Sequence, residues 1–179
     1  MRWFWIDKFK SFERGRCATA VKAVSICEEH MQGYFPGYPV MTPTFVIEGF
    51  AQMGGILISE TREFRQNLVL AKVSRSKIHR YARPGELMSY AVNLVSLQED
   101  GGLVEATSHI DGELHVEADL TFAQVSRDVI DRKFFEPVGL LQMLRVYGLY
   151  DVGVDENGDP LKIPEYLLEA EKTATGAYF

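Results

Sequence analysis

The side chains best suited to chemistry lie in one stretch of the sequence, GYFPGYPVMTPTFVIEGFAQ, at residues 33–52. Glu48 is a lone carboxylate in an apolar run, and such a group costs free energy unless it is paired or used. Tyr34 precedes it by 14 residues. A phenol has a pKa of about 10, so its ionisation at pH 7 costs about 4 kcal/mol. Tyr34 is therefore a poor base but a good hydrogen-bond donor, whereas Glu48 suits acid–base chemistry.

Gln52 follows Glu48 by one helical turn, so the two side chains share a helix face. The amide either orients the carboxylate or is a satisfied polar group of the core, and the sequence leaves both open. The apolar neighbours Ile47 and Phe50 predict that Glu48 is buried. The alternative is an exposed or salt-bridged carboxylate at the rim of the helix.

The element that must carry Glu48 and Gln52 is a long helix predicted over residues 42–64. Thr42 suits the N-cap and Pro43 the first helical position. Apolar residues cover nearly its whole circumference, which is typical of a buried helix. Its glycines indicate close approach of another backbone, and they are Gly49, Gly54 and Gly55.

Strand-like segments precede and follow this helix, with turn signals EDGG and DGE between the later ones. A single antiparallel sheet wrapped around one long central helix satisfies this order, so we predict an α+β fold. The predicted strands cover residues 16–28, 68–78, 85–98, 102–112 and 113–125.

Residues 127–179 differ in pattern from residues 1–126. They contain a short amphipathic helix within 137–150, a turn at 155–160 and a polar terminal helix that begins at Pro164. We therefore predict a helical C-terminal appendage, packed on the core or on a partner.

The composition excludes several classes of function. The chain has 179 residues, a net charge of −6 and a pI near 5.3, which argues against a nucleic-acid partner. Cys17 and Cys27 do not suggest a disulfide, so a reduced, cytoplasmic setting is expected. No apolar run reaches the roughly 18 residues of a membrane span, and the apolar stretch at the N-terminus is too short for a signal peptide.

The histidines have no metal-ligand spacing, so no metal is predicted. His30 lies four residues before Tyr34, close enough to be a minor candidate for the same cavity. The others lie in strand patterns, where we expect them on a solvent face or an interface; they are His79, His109 and His115.

The opening stretch resembles the β-hydroxyacyl-acyl-carrier-protein dehydratases of fatty-acid synthesis. The resemblance rests on QGYFPG at 32–37, PVM at 39–41 and EGFAQ at 48–52, with ARPGEL at 82–87 and IDKF at 6–9. It covers roughly residues 1–126. It implies a hotdog fold and a homodimer with active sites at its interface, a dimer that the family often assembles into hexamers.

The resemblance also implies roles for individual residues. Glu48 matches the helix carboxylate that acts on the departing 3-hydroxyl, and it works with a loop from the other subunit. Tyr34 occupies the position of the loop histidine that takes a proton from C2, with the family's separation of 14 residues kept. The loop residues Phe35 and Gly37 are expected to line the substrate site.

The start of the helix departs from the family pattern. The family has a glycine whose N–H polarises the thioester carbonyl, and Pro43 takes that place without an N–H to give. Alternatively the chain is shifted by one residue and Thr44 supplies the donor. No cofactor is implied, because the substrate is carried on phosphopantetheine.

A cluster of basic residues follows the helix in this acidic protein. An acidic acyl carrier protein or the phosphate of a pantetheine thioester would suit such a patch beside a tunnel mouth. A solvated strand edge protected by charges is an equally good interpretation. The residues are Lys72, Arg75, Lys77, Arg80 and Arg83.

The sequence thus predicts a 3-hydroxyacyl-thioester dehydratase-like protein, a lyase acting on acyl carrier protein or acyl-CoA substrates. Tyr34 in place of histidine leaves open whether activity is kept, altered or lost. Two alternatives remain. One is a hotdog thioesterase in which Glu48 activates water, and the other is a non-catalytic subunit that binds acyl groups or the carrier.

Overall fold

The computed structural model describes residues 4–31, 37–125 and 135–176. A seven-stranded sheet curves around one buried helix, α1, which spans Pro43–Glu60. The α+β hotdog arrangement predicted from the sequence is confirmed. The strands are β1 Lys8–Glu13, β2 Cys17–Ala23, β3 Leu68–Ile78, β4 Leu87–Gln98, β5 Gly101–Ile110, β6 Glu113–Gln124 and β7 Gly153–Val154.

The strand order across the sheet is β3-β6-β5-β4-β2-β1-β7. All neighbours are antiparallel except β7, which runs parallel to β1. The β5–β6 hairpin turns through Asp111 and Gly112, with φ of 53° and 83°. Both residues adopt the left-handed region that a tight hairpin needs, and this accounts for the DGE turn signal.

Helix α1 begins where the sequence predicts and ends earlier. Thr42 occupies the N-cap with extended backbone, although its hydroxyl makes no capping hydrogen bond, and Pro43 opens the first turn. The last helical residue is Glu60 rather than residue 64. Glu63 and Phe64 have φ of 52° and 57°, which no right-handed helix accommodates.

Two glycines let neighbouring groups approach α1 closely. A Cβ built on Gly49 would lie 2.8 Å from the Trp5 carbonyl oxygen and 2.9 Å from Cε2 of Tyr90. A Cβ on Gly54 would lie 3.0 Å from side-chain atoms of β5 and β6. The close approach inferred from these glycines is therefore present, and it seats the helix against the sheet.

The C-terminal residues add to the sheet as well as covering it. In the part of this segment that the structure describes there are three helices: α2 Pro137–Val146, α3 Leu149–Val152 and α4 Glu165–Gly176. Strand β7, which the sequence pattern did not predict, pairs with Phe12 and Glu13 of β1. The backbone N–H of Phe9 also donates to the carbonyl of Tyr147, at 2.8 Å. The predicted appendage is thus joined to β1 by main-chain hydrogen bonds.

His115 is fully buried, so its predicted place on a solvent face or interface is wrong. In the β5–β6 ladder, Ser108 pairs with Val116 and His109 with Leu114, which leaves His115 as the extra residue of a bulge. The bulge turns its ring inward, where Nδ1 lies 3.0 Å from Ser108 Oγ. Burial, and next the positive charge of Arg80, lower the pKa of His115 to about 4.

Within the described residues, no helix combines the length and the apolarity needed to cross a bilayer.

Substitution of Gly49 tests the close packing of α1. Gly49→Ala should lower the free energy of unfolding by about 1–3 kcal/mol, because the added methyl collides with the Trp5 backbone and the Tyr90 ring. Gly55→Ala is the matched control, since its Cβ would lie 3.6 Å from Phe122 Cε1, an ordinary contact. The control should gain about 0.5–1 kcal/mol from helix propensity. Equal denaturant midpoints for the two variants would contradict this account.

The burial of His115 predicts a loss of stability in mild acid. Its pKa is 6.5 when unperturbed and about 4 in the folded protein, so between these values only the unfolded chain takes up the proton. The free energy of unfolding should therefore fall as pH drops from about 6.5 to about 4. His115→Gln should reduce the loss between pH 7 and pH 5 by about 1–2 kcal/mol. Parallel pH dependences of the two proteins in urea titrations would be inconsistent with a buried neutral imidazole.

Candidate active site

Glu48 lies in the second turn of α1 and is exposed on the surface of the single chain. The expectation of burial from Ile47 and Phe50 is wrong. Successive helical residues are rotated by about 100°, so apolar neighbours in the sequence face other directions. Glu48 nevertheless has a defined partner, because Gln52 Nε2 donates a hydrogen bond to its Oε1 at 3.1 Å.

Gln52 is a buried amide whose hydrogen bonds include those to Trp5, Tyr147 and Glu48. Its Oε1 accepts from the backbone N–H of Trp5 at 3.0 Å and from the hydroxyl of Tyr147 at 2.9 Å, while its Nε2 faces Glu48. The amide is therefore a polar group of the core with hydrogen-bond partners, and it also contacts the Glu48 carboxylate. These are the two roles that the sequence left open.

The orientation of this amide follows from its partners. A backbone N–H can only donate, so the Gln52 atom beside Trp5 must be the oxygen. The NH₂ group is then directed at Glu48, where it can donate to a carboxylate oxygen. Glu48 thus has one oxygen held by a fixed donor on its own helix.

Aromatic side chains surround the start of α1. The rings of Trp5 and Phe45 stack with centroids 4.0 Å apart and an interplanar angle of 7°. The His30 ring meets both edge-on, at 5.4 Å from Trp5 and 4.8 Å from Phe45. Phe45 lies one turn before Glu48, so this cluster forms an apolar neighbour of the candidate site.

His30, the minor candidate from the sequence, therefore lies beside the first turn of α1. Its Nδ1 is 3.6 Å from Glu28, and its Nε2 is buried with no hydrogen-bond partner among the described residues. Burial lowers the pKa of His30, an effect that Glu28 opposes and Lys22 reinforces. The imidazole is consequently held in its neutral form near pH 7.

The other predicted site residues are only partly described. Tyr34 and Phe35 lie outside the described residues. Gly37 is exposed with φ of 77°, a conformation that favours glycine. Pro43 is half-buried at the first helical position, and Thr44 is exposed beside it. Among the first two residues of the helix, only Thr44 carries a backbone N–H.

The ARPGEL segment packs beside the start of α1. The backbone N–H of Met41 donates to the carbonyl of Ala82 at 2.8 Å. The guanidinium of Arg83 lies over the ring of Tyr38 and donates to its hydroxyl at 3.0 Å. The PVM and ARPGEL segments, two of those that carry the family resemblance, are thus neighbours in space.

The basic residues of the predicted patch differ in their partners. Arg75 lies 3.5 Å from Glu117 and 3.3 Å from Asp119, and Arg80 is paired with Glu86 at 2.7 Å. Lys72 and Lys77 are exposed on strand β3, with no ion pair within residues 4–31, 37–125 and 135–176. The patch therefore has less free positive charge than its sequence indicates.

Trp5 and Tyr147 are contributors to the site that sequence reasoning missed. They act on Gln52 from 47 and 95 residues away, and no local pattern marks such contacts. No group of three or more His, Cys, Asp or Glu side chains in the described part of the chain is arranged to hold a metal ion.

Comparison with known proteins assigns the family. Residues 4–122 match the family model of the FabA-like domain. The chain is 33% identical over 125 residues to the 3-hydroxyacyl-acyl-carrier-protein dehydratase FabZ of Levilactobacillus brevis, covering 69% of this chain and 84% of that protein. It is 37% identical over 118 residues to the same-named protein of Latilactobacillus sakei, covering 65% and 84%.

Solved structures with low sequence identity share the fold. The dehydratase heterocomplex ApeI:P of Xenorhabdus doucetiae superimposes with a TM-score of 0.59 and 16% identity, over 78% of this chain and 88% of that chain. The smu.793 protein of Streptococcus mutans, bound to acetyl CoA, gives 0.57 and 16%, over 70% and 94%. These structures show the fold, and the family-model match with the relatives above 30% identity shows that the chain belongs to the FabA-like family of hotdog-fold dehydratases.

Proposed function

We propose that this protein is a 3-hydroxyacyl-thioester dehydratase-like lyase of fatty-acid metabolism, with Glu48 as its acid–base residue. In the reaction a base removes a proton from C2, an acid protonates the 3-hydroxyl, and water leaves as the C2–C3 double bond forms. The observation that carries the proposal is the Glu48 carboxylate, held by Gln52 on the central helix of a FabA-like domain. This chemistry needs no cofactor, as in the family's dehydratases.

The hydrogen bond from Gln52 assigns different tasks to the two Glu48 oxygens. Because the amide engages Oε1, Oε2 is the oxygen that we assign to the 3-hydroxyl of the substrate. A fixed carboxyl group lowers the barrier by holding the proton donor in the geometry of the transition state. We further propose that the thioester carbonyl is polarised by the N–H of Thr44, because Pro43 has none.

Tyr34 is a poor base for the proposed mechanism. Its phenolate costs about 4 kcal/mol to form at pH 7, whereas an imidazole with a pKa near 6.5 costs almost nothing. We assign Tyr34 a hydrogen bond to the substrate or to an ordered water. Proton removal from C2 should then be slow relative to relatives that have histidine in the loop, or be lost. Phe35 and Gly37 are proposed to line the acyl-pantetheine beside it.

We propose that two copies of the chain pair through strand β3. This strand is 11 residues long, lies at the edge of the sheet and exposes Leu70, Val73 and Ile78. An open apolar edge of this length is a ready template for a further strand. A second copy would also cover the exposed Glu48 and supply the loop of the shared site. A monomer by light scattering at micromolar concentration would contradict this assembly, whereas a hexamer built from three such dimers is compatible with it.

The acyl group is proposed to arrive on an acyl carrier protein or on coenzyme A, in the cytoplasm. Lys72, Lys77 and Arg83 are the patch residues best placed to meet phosphate or an acidic carrier, since Arg75 and Arg80 are already paired with carboxylates. Lys72→Glu with Lys77→Glu should raise KM for a carrier-linked substrate and leave KM for a short pantetheine thioester unchanged. Because both lysines lie on β3, light scattering must first show that the variant has the same oligomeric state as the wild type.

Two other functions fit the same scaffold. A thioesterase would use Glu48 to activate water, and hotdog neighbours include a hypothetical thioesterase of Streptococcus pneumoniae at 9% identity and a TM-score of 0.54. A non-catalytic subunit would pair with an active homologue, an arrangement suggested by Tyr34 and by the neighbour that is a dehydratase heterocomplex.

Glu48→Gln separates these functions in one assay. With 3-hydroxyacyl and acyl pantetheine thioesters as substrates, enoyl absorbance and free thiol are followed together. We expect enoyl formation, reduced at least about 100-fold in Glu48→Gln through loss of the acid–base group. The control Glu165→Gln changes an exposed glutamate on α4 and should retain full activity. Thiol release without enoyl would instead indicate a thioesterase, and ligand binding without either product a non-catalytic subunit.

Tyr34→His tests whether the scaffold lacks only its base. The imidazole lowers the cost of deprotonation by up to about 4 kcal/mol, so dehydration should accelerate by one to three orders of magnitude. The rate of enoyl formation is measured with the wild type and with Tyr34→Phe as a control that only removes the hydroxyl. No acceleration in a folded Tyr34→His protein would show that residue 34 is not directed at C2 of the substrate.

A further inference from the structure

The C-terminal segment reaches the proposed acid–base residue through one side chain. Tyr147 follows helix α2, beyond residues 4–122 that match the family, yet its hydroxyl donates to Gln52 Oε1 at 2.9 Å. Gln52 in turn donates to Glu48 at 3.1 Å. A continuous chain of hydrogen bonds thus joins the C-terminal segment to Glu48.

The position of Tyr147 is fixed on several sides. Its side chain is fully buried, and its ring meets Phe4 and Phe9 edge-on at centroid distances of 5.4 and 6.0 Å. Its carbonyl accepts the N–H of Phe9, and its own N–H donates to Met143. The following residue, Gly148, has φ of 65° and so turns the chain immediately after the tyrosine. These contacts hold the Tyr147 hydroxyl in a fixed position.

The phenol also keeps its proton. Burial, and next the negative charge of Glu48, raise the pKa of Tyr147 well above its ordinary value of 10. Near neutral pH the Tyr147 hydroxyl is therefore a donor, and it requires an acceptor in the core. The Gln52 oxygen is that acceptor, so the hydroxyl favours the amide orientation that directs NH₂ at Glu48.

We propose that Tyr147 is a positioning residue, whose hydroxyl acts with the Trp5 N–H to hold the Gln52 amide, so that the amide keeps the Glu48 carboxylate in its reactive orientation. The C-terminal segment is then part of the active site, in addition to covering the sheet. This inference rests on the proposed role of Glu48 as the acid–base residue.

Tyr147→Phe removes the hydroxyl and keeps the ring between Phe4 and Phe9. Loss of one positioning hydrogen bond should lower kcat about 3–10-fold, with KM within about two-fold of wild type because no substrate contact changes. The matched control is Tyr150→Phe, three residues later in the same segment. The Tyr150 hydroxyl is buried without a hydrogen-bond partner among the described residues, so its removal leaves the chain of hydrogen bonds intact. The control should retain wild-type kcat.

A second measurement separates failure of this inference from failure of the proposed function. In NMR spectra, the side-chain NH₂ signals of Gln52 and the carboxyl ¹³C signal of Glu48 are assigned from Gln52→Glu and Glu48→Gln. Both signals should shift in Tyr147→Phe and stay in place in Tyr150→Phe, whether or not the protein dehydrates any thioester. If the wild type is inactive, shifts of both signals uphold the positioning role while the proposed function fails.

Three outcomes would overturn the inference. The first is an unshifted Glu48 signal in Tyr147→Phe. The second is an active enzyme in which kcat of Tyr147→Phe equals that of wild type. The third is an equal loss of kcat in both tyrosine variants, because that result would assign the effect to packing of the segment. In a Glu48→Gln background, Tyr147→Phe should cause no further loss of rate.

Discussion

The site depends on the fixed orientation of one buried amide. The Gln52 oxygen faces the donors of Trp5 and Tyr147, and its nitrogen faces the carboxylate of Glu48. A buried amide without partners would cost several kcal/mol, so the same bonds that orient the carboxylate also pay for placing a polar group in the core. Two segments distant in the sequence, at Trp5 and Tyr147, therefore meet α1 at the amide that contacts Glu48.

The surrounding fold supplies the rigidity that this arrangement requires. Helix α1 is buried by the sheet, and its glycines allow the Trp5 backbone and the Tyr90 ring to approach within contact distance. Close approach at Gly49 places the Trp5 segment against the helix, and the N–H of Trp5 is then within reach of Gln52 one turn later. Packing and polar contacts thus reinforce each other at the same point on the helix.

Local patterns in the sequence predicted the elements of the fold but not their remote contacts. Thr42, Pro43 and an all-round apolar surface marked α1, because capping and burial are properties of neighbouring residues. The predicted end of α1 was wrong because Glu63 and Phe64 adopt positive φ, a conformation that neither residue type favours.

The predicted position of His115 was wrong because a bulge interrupts the alternation of β6, and a bulge depends on the partner strand. The link from Tyr147 to Gln52 spans 95 residues and has no local signature. The exposure of Glu48 likewise follows from helix rotation and not from its neighbours in the sequence.

The parallel pairing of β7 with β1 has a consequence for the order in which the protein matures. The chain leaves the ribosome from its N-terminus, so β1, α1 and the antiparallel hairpins are available long before Tyr147 and β7 are synthesised. Until the C-terminal segment arrives, the first strand has an open edge and the Gln52 oxygen lacks one of its donors. The nascent domain can collapse early, but the hydrogen bonds that hold the Gln52 amide are complete only after Tyr147 has been synthesised and has packed against the sheet.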